Sequence, residues 1–342
     1  MSGSPESPVR ATNRRVLLAA RPEGLPKRGD WKIEDAGIAP LEEGEVLVRV
    51  RLLSLDPAMR GWMNDGKSYI APVALGAVMR AGGIGDVIAS RHLDFDIGAT
   101  VSGDLGVQLF CRTAGSRLRT ADLTLAPPVK WLNPLGMPGM TAYFGLLEIG
   151  QPRAGQTVVV SGAAGAVGQT VGQIARIKGC RAVGIAGGPA KCDLVVNEFG
   201  FDACVDYKAG DLKAGLKAAC PDGIDVYFDN VGGEVLDTVL TRINPHARIV
   251  ICGAISQYNN TQPVRGPANY LSLLVNRARM EGMVVFDYAD RYPQAIGEIA
   301  GWLADGSLRS REDVVEGLDS FPERLLMLFS GANNGKLVLK VA

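Results

Sequence analysis

The chain has 342 residues, enough for two domains that each bury a core. Lysine plus arginine and aspartate plus glutamate both number 36, so neither nucleic acid nor an anionic membrane is expected as a partner. No apolar run reaches membrane-spanning length, and the polar residues 1–15 lack the apolar core of a signal peptide. Six scattered cysteines without a C-x-x-C pair are expected to be reduced. These features predict a soluble, cytoplasmic protein.

The sequence of the N-terminal part of the chain predicts strands, but these do not alternate with helices. Residues 1–13 are predicted to be a loose tail, and a mostly β, barrel-like domain is predicted for residues 14–130. Residues 45–53 alternate apolar and charged side chains, as a half-exposed antiparallel strand does. Further strand-like runs cover residues 85–90, 100–103 and 107–112.

A turn and a short predicted helix interrupt this β-rich part at residues 54–63. A polar loop follows and ends at Tyr69. Trp62 and Tyr69 either line a substrate pocket or cap the barrel, and both interpretations stay open at this point.

The centre of the chain predicts one strand–helix–strand unit. Residues 157–160 are apolar and β-branched, residues 162–168 read GAAGAVG, and a helix-period segment leads to a second apolar run at 182–186. This order is typical of a dinucleotide-binding unit, with the pyrophosphate at the helix N-terminus. Ala163 replaces the first glycine of the usual motif, so the remaining glycines could instead only let the helix pack closely on the strand.

Later strand-like runs bring the total to six, the number in a full Rossmann sheet. The predicted fold is therefore α/β, a doubly wound parallel Rossmann sheet over residues 131–299 plus the smaller β-rich domain. Residues from about 300 to 342 are assigned to the first domain, because the terminal strand-like run 335–341 is expected to return to it. The four later runs cover residues 203–207, 225–229, 248–255 and 283–286.

The tip of the second Rossmann strand indicates which dinucleotide binds. NAD-binding folds usually place an acid there to hold the ribose 2′-hydroxyl. In this chain Gly187, Gly188 and Pro189 follow the strand, and Lys191 comes next on the helix. Lys191 is either an ordinary solvated residue or the partner of a 2′-phosphate. We favour NADP(H).

A bound metal is not expected. A catalytic zinc needs three protein ligands, and the two histidines, His92 and His246, have no cysteine at ligand spacing. His246 follows a proline and is predicted to lie in a solvent-facing loop. This leaves a reaction that the cofactor performs with little acid–base help.

Several strings together resemble one family. They are SLDPAMRGWM, GMPGMTAYFGLL, SGAAGAVGQTVGQIARIKGCRAVGIAGG, FDNVGG, ICGAISQYN and GANNGK. They are similar to the zinc-independent branch of the medium-chain dehydrogenase/reductases, the NADPH-dependent alkenal and enone reductases. That branch includes prostaglandin reductases, plant double-bond reductases and bacterial curcumin reductase. Over about residues 14–342, the resemblance implies a GroES-like catalytic domain beside the Rossmann domain, and a homodimer.

The resemblance also implies a cofactor site. The pyrophosphate is assigned to residues 165–168, the 2′-phosphate to Lys191 and Tyr207, and the nicotinamide side to residues 252–258. The implied cofactor-binding residues are Gly165, Ala166, Val167, Gly168, Lys191, Tyr207, Asn230, Cys252, Gly253, Ala254, Ile255, Ser256, Gln257, Tyr258, Met283, Val284, Val285 and Asn333.

The implied reaction is reduction of a carbon–carbon double bond conjugated to a carbonyl group. Tyr258, alone or together with the ribose hydroxyl, is the expected donor to the enolate oxygen; the alternative is that its ring only packs on the cofactor. Tyr69, Met283, Val284 and Val285 are expected around the enal or enone substrate. Two rival functions are a quinone reductase of the same superfamily and an NADPH-binding protein without turnover.

Two positions depart from the family pattern. Ala58 stands where the DP-x-MR motif often has tyrosine, and Val107 stands where tryptophan is common. Both lie in the first domain. The substrate is therefore less constrained by the resemblance than the cofactor.

Overall fold

The computed structural model describes residues 12–341, and these divide into two compact units. The first unit contains the chain up to Trp131, Val314–Leu326 and the residues from Val338 onward. The second contains Leu132–Asp313 and Met327–Leu337. The predicted tail lies outside the described residues except for its last two, which begin the first strand.

The first part of the chain is built from strands around one short helix. Its elements are β1 (Thr12–Leu18), β2 (Trp31–Gly37), β3 (Glu45–Ser54), α1 (Ala58–Trp62), β4 (Gly82–Ser90), β5 (Thr100–Asp104), β6 (Phe110–Ala114) and β7 (Leu118–Thr120).

The second part alternates strands and helices. Its elements are α2 (Met137–Phe144), β8 (Thr157–Ser161), α3 (Ala166–Ile177), β9 (Arg181–Ala186), α4 (Pro189–Asp193), β10 (Ala203–Asp206), α5 (Leu212–Ala219), β11 (Ile224–Asp229), α6 (Gly233–Leu240), β12 (Ile243–Ile251), α7 (Leu271–Asn276), β13 (Arg279–Gly282), α8 (Tyr292–Ala304), β14 (Glu312–Glu316), α9 (Phe321–Ser330) and β15 (Lys336–Lys340).

A six-stranded parallel sheet forms the core of the second unit, in the order β10-β9-β8-β11-β12-β13. Every residue of β8 is buried, as expected for a central strand covered on both faces. In α3, Val171, Ile174 and Ala175 are fully buried. The strand order reverses between β8 and β11, so the carboxyl ends of these two strands flank the crevice where such sheets bind ligands. The predicted Rossmann fold is confirmed.

The first unit is organised on an antiparallel sheet in the order β14-β15-β3-β4-β5-β7, with β6 also paired to β3. The alternating burial of β3 follows from its alternating sequence. The predicted return of the C-terminal strand is confirmed, since Val338 pairs with Ser54 of β3.

Residues 301–313 belong to the second unit, and side chains of α3 bind the last part of this stretch. The side-chain carbonyl of Gln169 accepts from the N–H of Arg311 at 2.9 Å, and that of Gln173 accepts from the N–H of Arg309 at 2.7 Å. The domain boundaries near residues 130 and 300 stay a prediction. Within the described residues, no helix is long and apolar enough to cross a membrane.

Two local predictions were wrong. The sixth strand was predicted at 283–286, but it is Arg279–Gly282, and Val285–Arg291 forms a 3₁₀ segment. This strand ends the sheet and is half-exposed, so its sequence lacks an apolar run, whereas the buried Met283 and Val285 follow it. His246 lies inside β12 rather than in a loop. It is solvent-exposed with φ +66°, at an irregularity in the β11–β12 register.

Candidate active site

The glycine turn after β8 is shaped to receive an anion. Gly162 has φ +63°, and Gly165 caps α3 in an extended conformation without a side-chain hydrogen bond. The helix α3 has 12 residues, and its first N–H groups follow a residue without a side chain. An anion can therefore approach these N–H groups closely. A Cβ added at Gly168 would overlap the carbonyl oxygen of Gly162. Gly168 thus serves close packing, and the backbone around Gly165 fits a pyrophosphate.

A buried carboxylate, Asp229, connects the ends of β8 and β11. Its Oδ1 accepts from the hydroxyls of Ser161 (3.1 Å) and Tyr227 (2.8 Å) and from the N–H groups of Val231 (3.0 Å) and Gly232 (2.9 Å). Burial raises the pKa of Asp229, and these bonds oppose that shift. We call Asp229 and its four donors the Asp229 network.

Sequence reasoning did not identify Asp229 as part of the site. The only available signal was its place directly before the Asn-Val-Gly-Gly turn at the end of a predicted strand. The residue that follows it, Asn230, donates from its side-chain amide to the carbonyl of Ser161 at 2.8 Å and from its backbone N–H to the Ser161 hydroxyl at 2.9 Å. Asn230 is therefore fixed against the end of β8.

The loop after β12 is hydrogen-bonded to the segment around Asp229. The N–H groups of Cys252 and Gly253 donate to the Asp229 carbonyl at 3.0 and 3.1 Å. The Ser256 hydroxyl donates to the Val231 carbonyl at 2.7 Å. The structure thus brings Asn230 and residues 252–257, which are distant in sequence, to one edge of the sheet.

Tyr258 follows a 3₁₀ turn, Ile255–Gln257, and its side chain folds back over the loop. Its hydroxyl accepts from the N–H of Ala254 at 3.2 Å. A Cβ at Gly253 would lie 2.7 Å from the Tyr258 hydroxyl oxygen, so glycine makes room for this ring. Desolvation, with a smaller contribution from Asp229, raises the pKa of Cys252 to about 12. The thiol of Cys252 is protonated near neutral pH and is therefore no nucleophile.

Apolar side chains stand beside this loop. Met283 donates its N–H to the carbonyl of Ile251 at 3.1 Å, which places it next to the end of β12. Met283 and Val285 are buried and Val284 is half-buried. Tyr292 fixes the segment by donating its hydroxyl to the Val285 carbonyl at 3.0 Å.

A second, more open part of the candidate site lies around Lys191, and we call it the Lys191 corner. It comprises Gly187, Lys191, Tyr207, Lys208 and Gly331. The half-buried ammonium group of Lys191 donates to the Gly331 carbonyl at 2.8 Å. The Tyr207 ring lies against Gly187, where a Cβ would be 2.8 Å from its hydroxyl oxygen. Burial lowers the pKa of Lys191 and nearby Lys208 lowers it further, while the carboxylate of Asp313 opposes the shift.

The neighbourhood of two cations suits a phosphate. Lys208 was missed by sequence reasoning, although it directly follows Tyr207 in the Asp-Tyr-Lys string. The Asp206 carboxylate already accepts hydrogen bonds from two backbone N–H groups, those of Gly188 (2.7 Å) and Lys208 (2.9 Å). Asn333 lies two residues beyond Gly331 and donates its side-chain amide to the Gly335 carbonyl at 2.8 Å.

Two of the cysteines expected to be reduced are paired, so that expectation was wrong for them. Cys192 of α4 and Cys204 of β10 form a disulfide, with Cα atoms 5.3 Å apart. The parallel pairing of β9 and β10 brings together the segments that carry them. Cys111, Cys180, Cys220 and Cys252 carry free thiols.

In the first unit, Trp62 is buried and Tyr69 is 56% exposed. The Trp62 ring nitrogen donates to the Tyr69 hydroxyl at 3.4 Å, and the Arg80 guanidinium lies 5.5 Å from the Trp62 ring centroid. Trp62 is thus a core residue and Tyr69 an exposed one. The assignment of Tyr69 to a substrate pocket stays a prediction.

In the described part of the chain, no three histidine, cysteine, aspartate or glutamate side chains are grouped so that they could hold a metal ion. His92 is engaged locally, its Nδ1 accepting from the N–H of Asp94 at 3.1 Å. The expectation that the reaction needs no metal stays a prediction.

Comparison with known proteins identifies relatives of the whole chain. One matching family model is described as the N-terminal domain of oxidoreductase (residues 14–120) and another as zinc-binding dehydrogenase (residues 166–301). The chain is 43% identical to the NADPH-dependent curcumin reductase of Escherichia coli (strain K12) over 335 residues, 96% of this chain and 97% of that protein. It is 40% identical to the 2-alkenal reductase (NADP(+)-dependent) of Nicotiana tabacum over 340 residues, 97% and 98% respectively. The structure of CurA in complex with NADPH from Vibrio vulnificus matches with a TM-score of 0.91 at 42% identity, covering 96% of this chain and 99% of that one.

Proposed function

Because the chain belongs to the medium-chain dehydrogenase/reductase family, in its branch of NADP-dependent alkenal and enone reductases, we propose how its own residues carry out that chemistry. The enzyme reduces the carbon–carbon double bond of α,β-unsaturated ketones and aldehydes with NADPH. The observation that carries this function is the identity of 40% or more, over nearly the whole chain, with reductases named for curcumin and 2-alkenals.

When bound, NADPH supplies the hydride that adds to the β-carbon of the substrate. The protein's part is to hold the cofactor. The N-terminus of α3 at Gly165–Gly168 would receive the pyrophosphate. Lys191, Tyr207 and Lys208 would receive the 2′-phosphate, because two cations stand there and the adjacent Asp206 is already engaged by backbone N–H groups.

The reacting end would lie along the loop after β12. Asn230 and Cys252–Tyr258 would line the nicotinamide side, with Asn333 as a further contact to the cofactor. The Asp229 network supports this assignment, because it fixes the backbone of both loops before any ligand arrives. Met283, Val284 and Val285 would supply an apolar wall against ring and substrate. Tyr69 is also proposed as a substrate contact.

Tyr258 is the proposed catalytic residue. Hydride addition to the β-carbon leaves negative charge on the carbonyl oxygen, and a positioned O–H donor stabilises the resulting enolate. The bond that the Tyr258 hydroxyl accepts from Ala254 orients it and strengthens it as a donor. The α-carbon then takes its proton from Tyr258 or from water.

The test follows the label of a deuterated cofactor. With NADPH deuterated at the transferred position and a simple enone, deuterium should appear on the β-carbon of a saturated ketone, and solvent deuterium on the α-carbon. Deuterium on the carbonyl carbon, giving an alcohol, would contradict the proposal. A parallel assay with a quinone distinguishes the neighbouring quinone reductases, since a markedly faster quinone reaction would favour that activity.

We also infer that the enzyme is a homodimer that associates through α7. Leu271, Leu274 and Val275 are 56%, 74% and 70% exposed, an unusual density of apolar surface for one short helix. Two residues separate α7 from β13, which ends the parallel sheet. Sedimentation should show a dimer, and Leu274→Glu should shift it to a monomer; a monomeric unmutated protein would contradict this assignment.

The cytoplasm is the compartment that we propose. Besides the Cys192–Cys204 pair, the other four cysteines carry free thiols in the described structure, and free thiols are typical of proteins kept in reducing surroundings. Cell fractionation with a soluble cytoplasmic marker tests this; recovery with an exported marker would contradict it.

A further inference from the structure

The Lys191 corner contains a pair of cysteines that the proposed reaction does not use. Cys192 directly follows Lys191 on α4, and Cys204 stands three residues before Tyr207 on β10. The disulfide therefore joins α4, which carries Lys191, to β10, which leads into Tyr207 and Lys208. The Cα separation of 5.3 Å lies within the ordinary range for a disulfide, so both the thiol and the bonded form fit this backbone.

These two cysteines differ from most of the others in exposure. Cys192 and Cys204 are half-buried, whereas Cys111, Cys180 and Cys220 are buried. Small thiols and disulfides can reach a half-exposed sulfur atom, and thiol–disulfide exchange requires such direct attack.

We propose that Cys192 and Cys204 are a reversible thiol–disulfide pair that sets the affinity of the enzyme for NADPH. The proposal rests on the proposed function in one respect, the binding of the 2′-phosphate at the Lys191 corner. It adds a redox modification site whose reaction partners are low-molecular-weight disulfides and dithiols.

The chemistry is a two-step exchange. The thiolate of one cysteine attacks a glutathione disulfide, forms a mixed disulfide and releases one glutathione thiolate. The thiolate of the other cysteine attacks the mixed disulfide and releases the second. The two protein thiols lose two electrons and two protons, and the glutathione disulfide takes them up as two thiols. A dithiol reverses both steps and leaves as a cyclic disulfide.

The direction of the effect follows from the position of Lys191 in α4. The helix starts after Gly188, which has φ +96°, and continues into the helical turn Leu194–Glu198, where Leu194 and Val195 are buried. The five residues of α4 itself bury no side chain, so apolar packing holds the far end of the helix and not the turn that carries Lys191. The disulfide ties this turn to β10. In the dithiol form Lys191 must be ordered when NADPH binds, and the affinity for NADPH falls.

The experiment compares one preparation in two redox buffers. The enzyme is equilibrated with glutathione disulfide or with dithiothreitol, acid-quenched, denatured and alkylated with N-ethylmaleimide, and the labelled peptides are identified by mass spectrometry. Dissociation constants for NADPH and NADH are measured in both states. Cys192→Ser and Cys204→Ser test the pair, and Cys180→Ser is the matched control for a cysteine outside it.

In the oxidised enzyme Cys192 and Cys204 should escape alkylation. The reduced enzyme should bind NADPH about three- to tenfold more weakly, the cost of ordering one or two side chains, while NADH binding stays nearly constant. Both pair variants should lose the redox response, and the control should keep it. Alkylation of either cysteine after oxidation, or equal NADPH affinity in both states, would overturn the proposal. Both measurements need no turnover, so the expected results in a protein that reduces no enone would contradict only the proposed function.

Discussion

The two halves of the proposed cofactor site are held in different ways. Around Asp229, a fully buried carboxylate and backbone hydrogen bonds fix the loops that carry Asn230 and Tyr258. At the Lys191 corner, side chains that are half-buried or exposed stand on a five-residue helix and a strand end. The half that is proposed for the chemistry is held by a buried carboxylate and backbone hydrogen bonds. The half that is proposed for cofactor choice consists of half-buried or exposed side chains, two of them charged.

This difference has a physical meaning. Groups that stabilise a transition state must be in place before the reaction, since reorganisation during the reaction raises the barrier. A discriminating phosphate contact needs a favourable charge, which a flexible side chain can supply at the cost of being ordered when the cofactor binds. Substitutions near Asp229 should therefore affect folding and rate, and those at the Lys191 corner should affect only the selection of the cofactor.

The largest effect is expected for Asp229→Ala. Two hydroxyls and two backbone N–H groups would lose their acceptor, and each buried unsatisfied group costs about 1–3 kcal/mol. Water entering the space will satisfy some of them, so we expect a loss of about 3–5 kcal/mol in the free energy of unfolding. Urea denaturation measures it, and an unchanged midpoint would show that the network is dispensable.

Asp229→Asn is the matched variant, since it keeps an acceptor oxygen and removes the charge. Because the folded-state pKa of Asp229 is raised, the folded protein holds this proton more tightly than the unfolded chain does. The unmutated protein therefore loses stability as pH rises from the unfolded carboxyl pKa through the folded one. The Asn variant should lack that component, and identical pH profiles of unfolding would contradict the raised pKa.

Tyr258→Phe should lower kcat by roughly ten- to a hundredfold, less than the full loss of an oxyanion donor because the ribose hydroxyl shares the role. The affinity for NADPH should stay nearly intact, since the ring remains. Steady-state kinetics and cofactor titration check both values. Tyr270→Phe, which alters an exposed tyrosine, is the control and should leave kcat unchanged. A Tyr258→Phe enzyme with full kcat would remove Tyr258 from catalysis.

Lys191→Ala should narrow the preference for NADPH over NADH by about ten- to a hundredfold, the usual worth of one charge-assisted contact. NADH affinity should hardly change, because NADH carries no 2′-phosphate. Lys217→Ala, an exposed lysine of α5, is the charge-matched control. Equal affinity of the unmutated enzyme for both cofactors would refute the assignment of this corner.

The smallest effect is expected from chelation. No metal-holding group of side chains exists in the described residues, so EDTA treatment should leave activity unchanged. Elemental analysis of the purified enzyme gives an independent check. One zinc per chain, together with activity lost to EDTA and restored by zinc, would contradict the expectation.

The sequence predicts best what is local. The apolar run of β8, the glycine turn and the periodicity of α3 lie within one short stretch, and the structure forms them there. The sixth strand was misplaced because an edge strand needs no continuous apolar run, and Arg279–Gly282 shows none. This segment is a strand because it pairs with β12, and a local sequence pattern does not encode that pairing.

The parts of the site that were missed depend on contacts between distant segments. The Ser161 hydroxyl reaches Asp229 across 68 positions, and Cys192 meets Cys204 because β9 and β10 pair. Lys208 is recognised as a site residue only from the structure, which places it near Lys191. The resemblance supplied residues such as Asn230 and Tyr258, whereas Asp229, which holds their loops, became apparent from hydrogen bonds alone.

The pairing of β15 with β3 has a consequence for biosynthesis. Residues 336–340, which complete the first unit's sheet, leave the ribosome long after Ser54 and its neighbours. Until then, this end of β3 presents an open hydrogen-bonding edge to other chains. The first unit therefore cannot complete its sheet before residues 336–340 have been synthesised. A nascent chain stalled before residue 336 should need chaperone protection, and a recombinant fragment ending near Trp131 should aggregate.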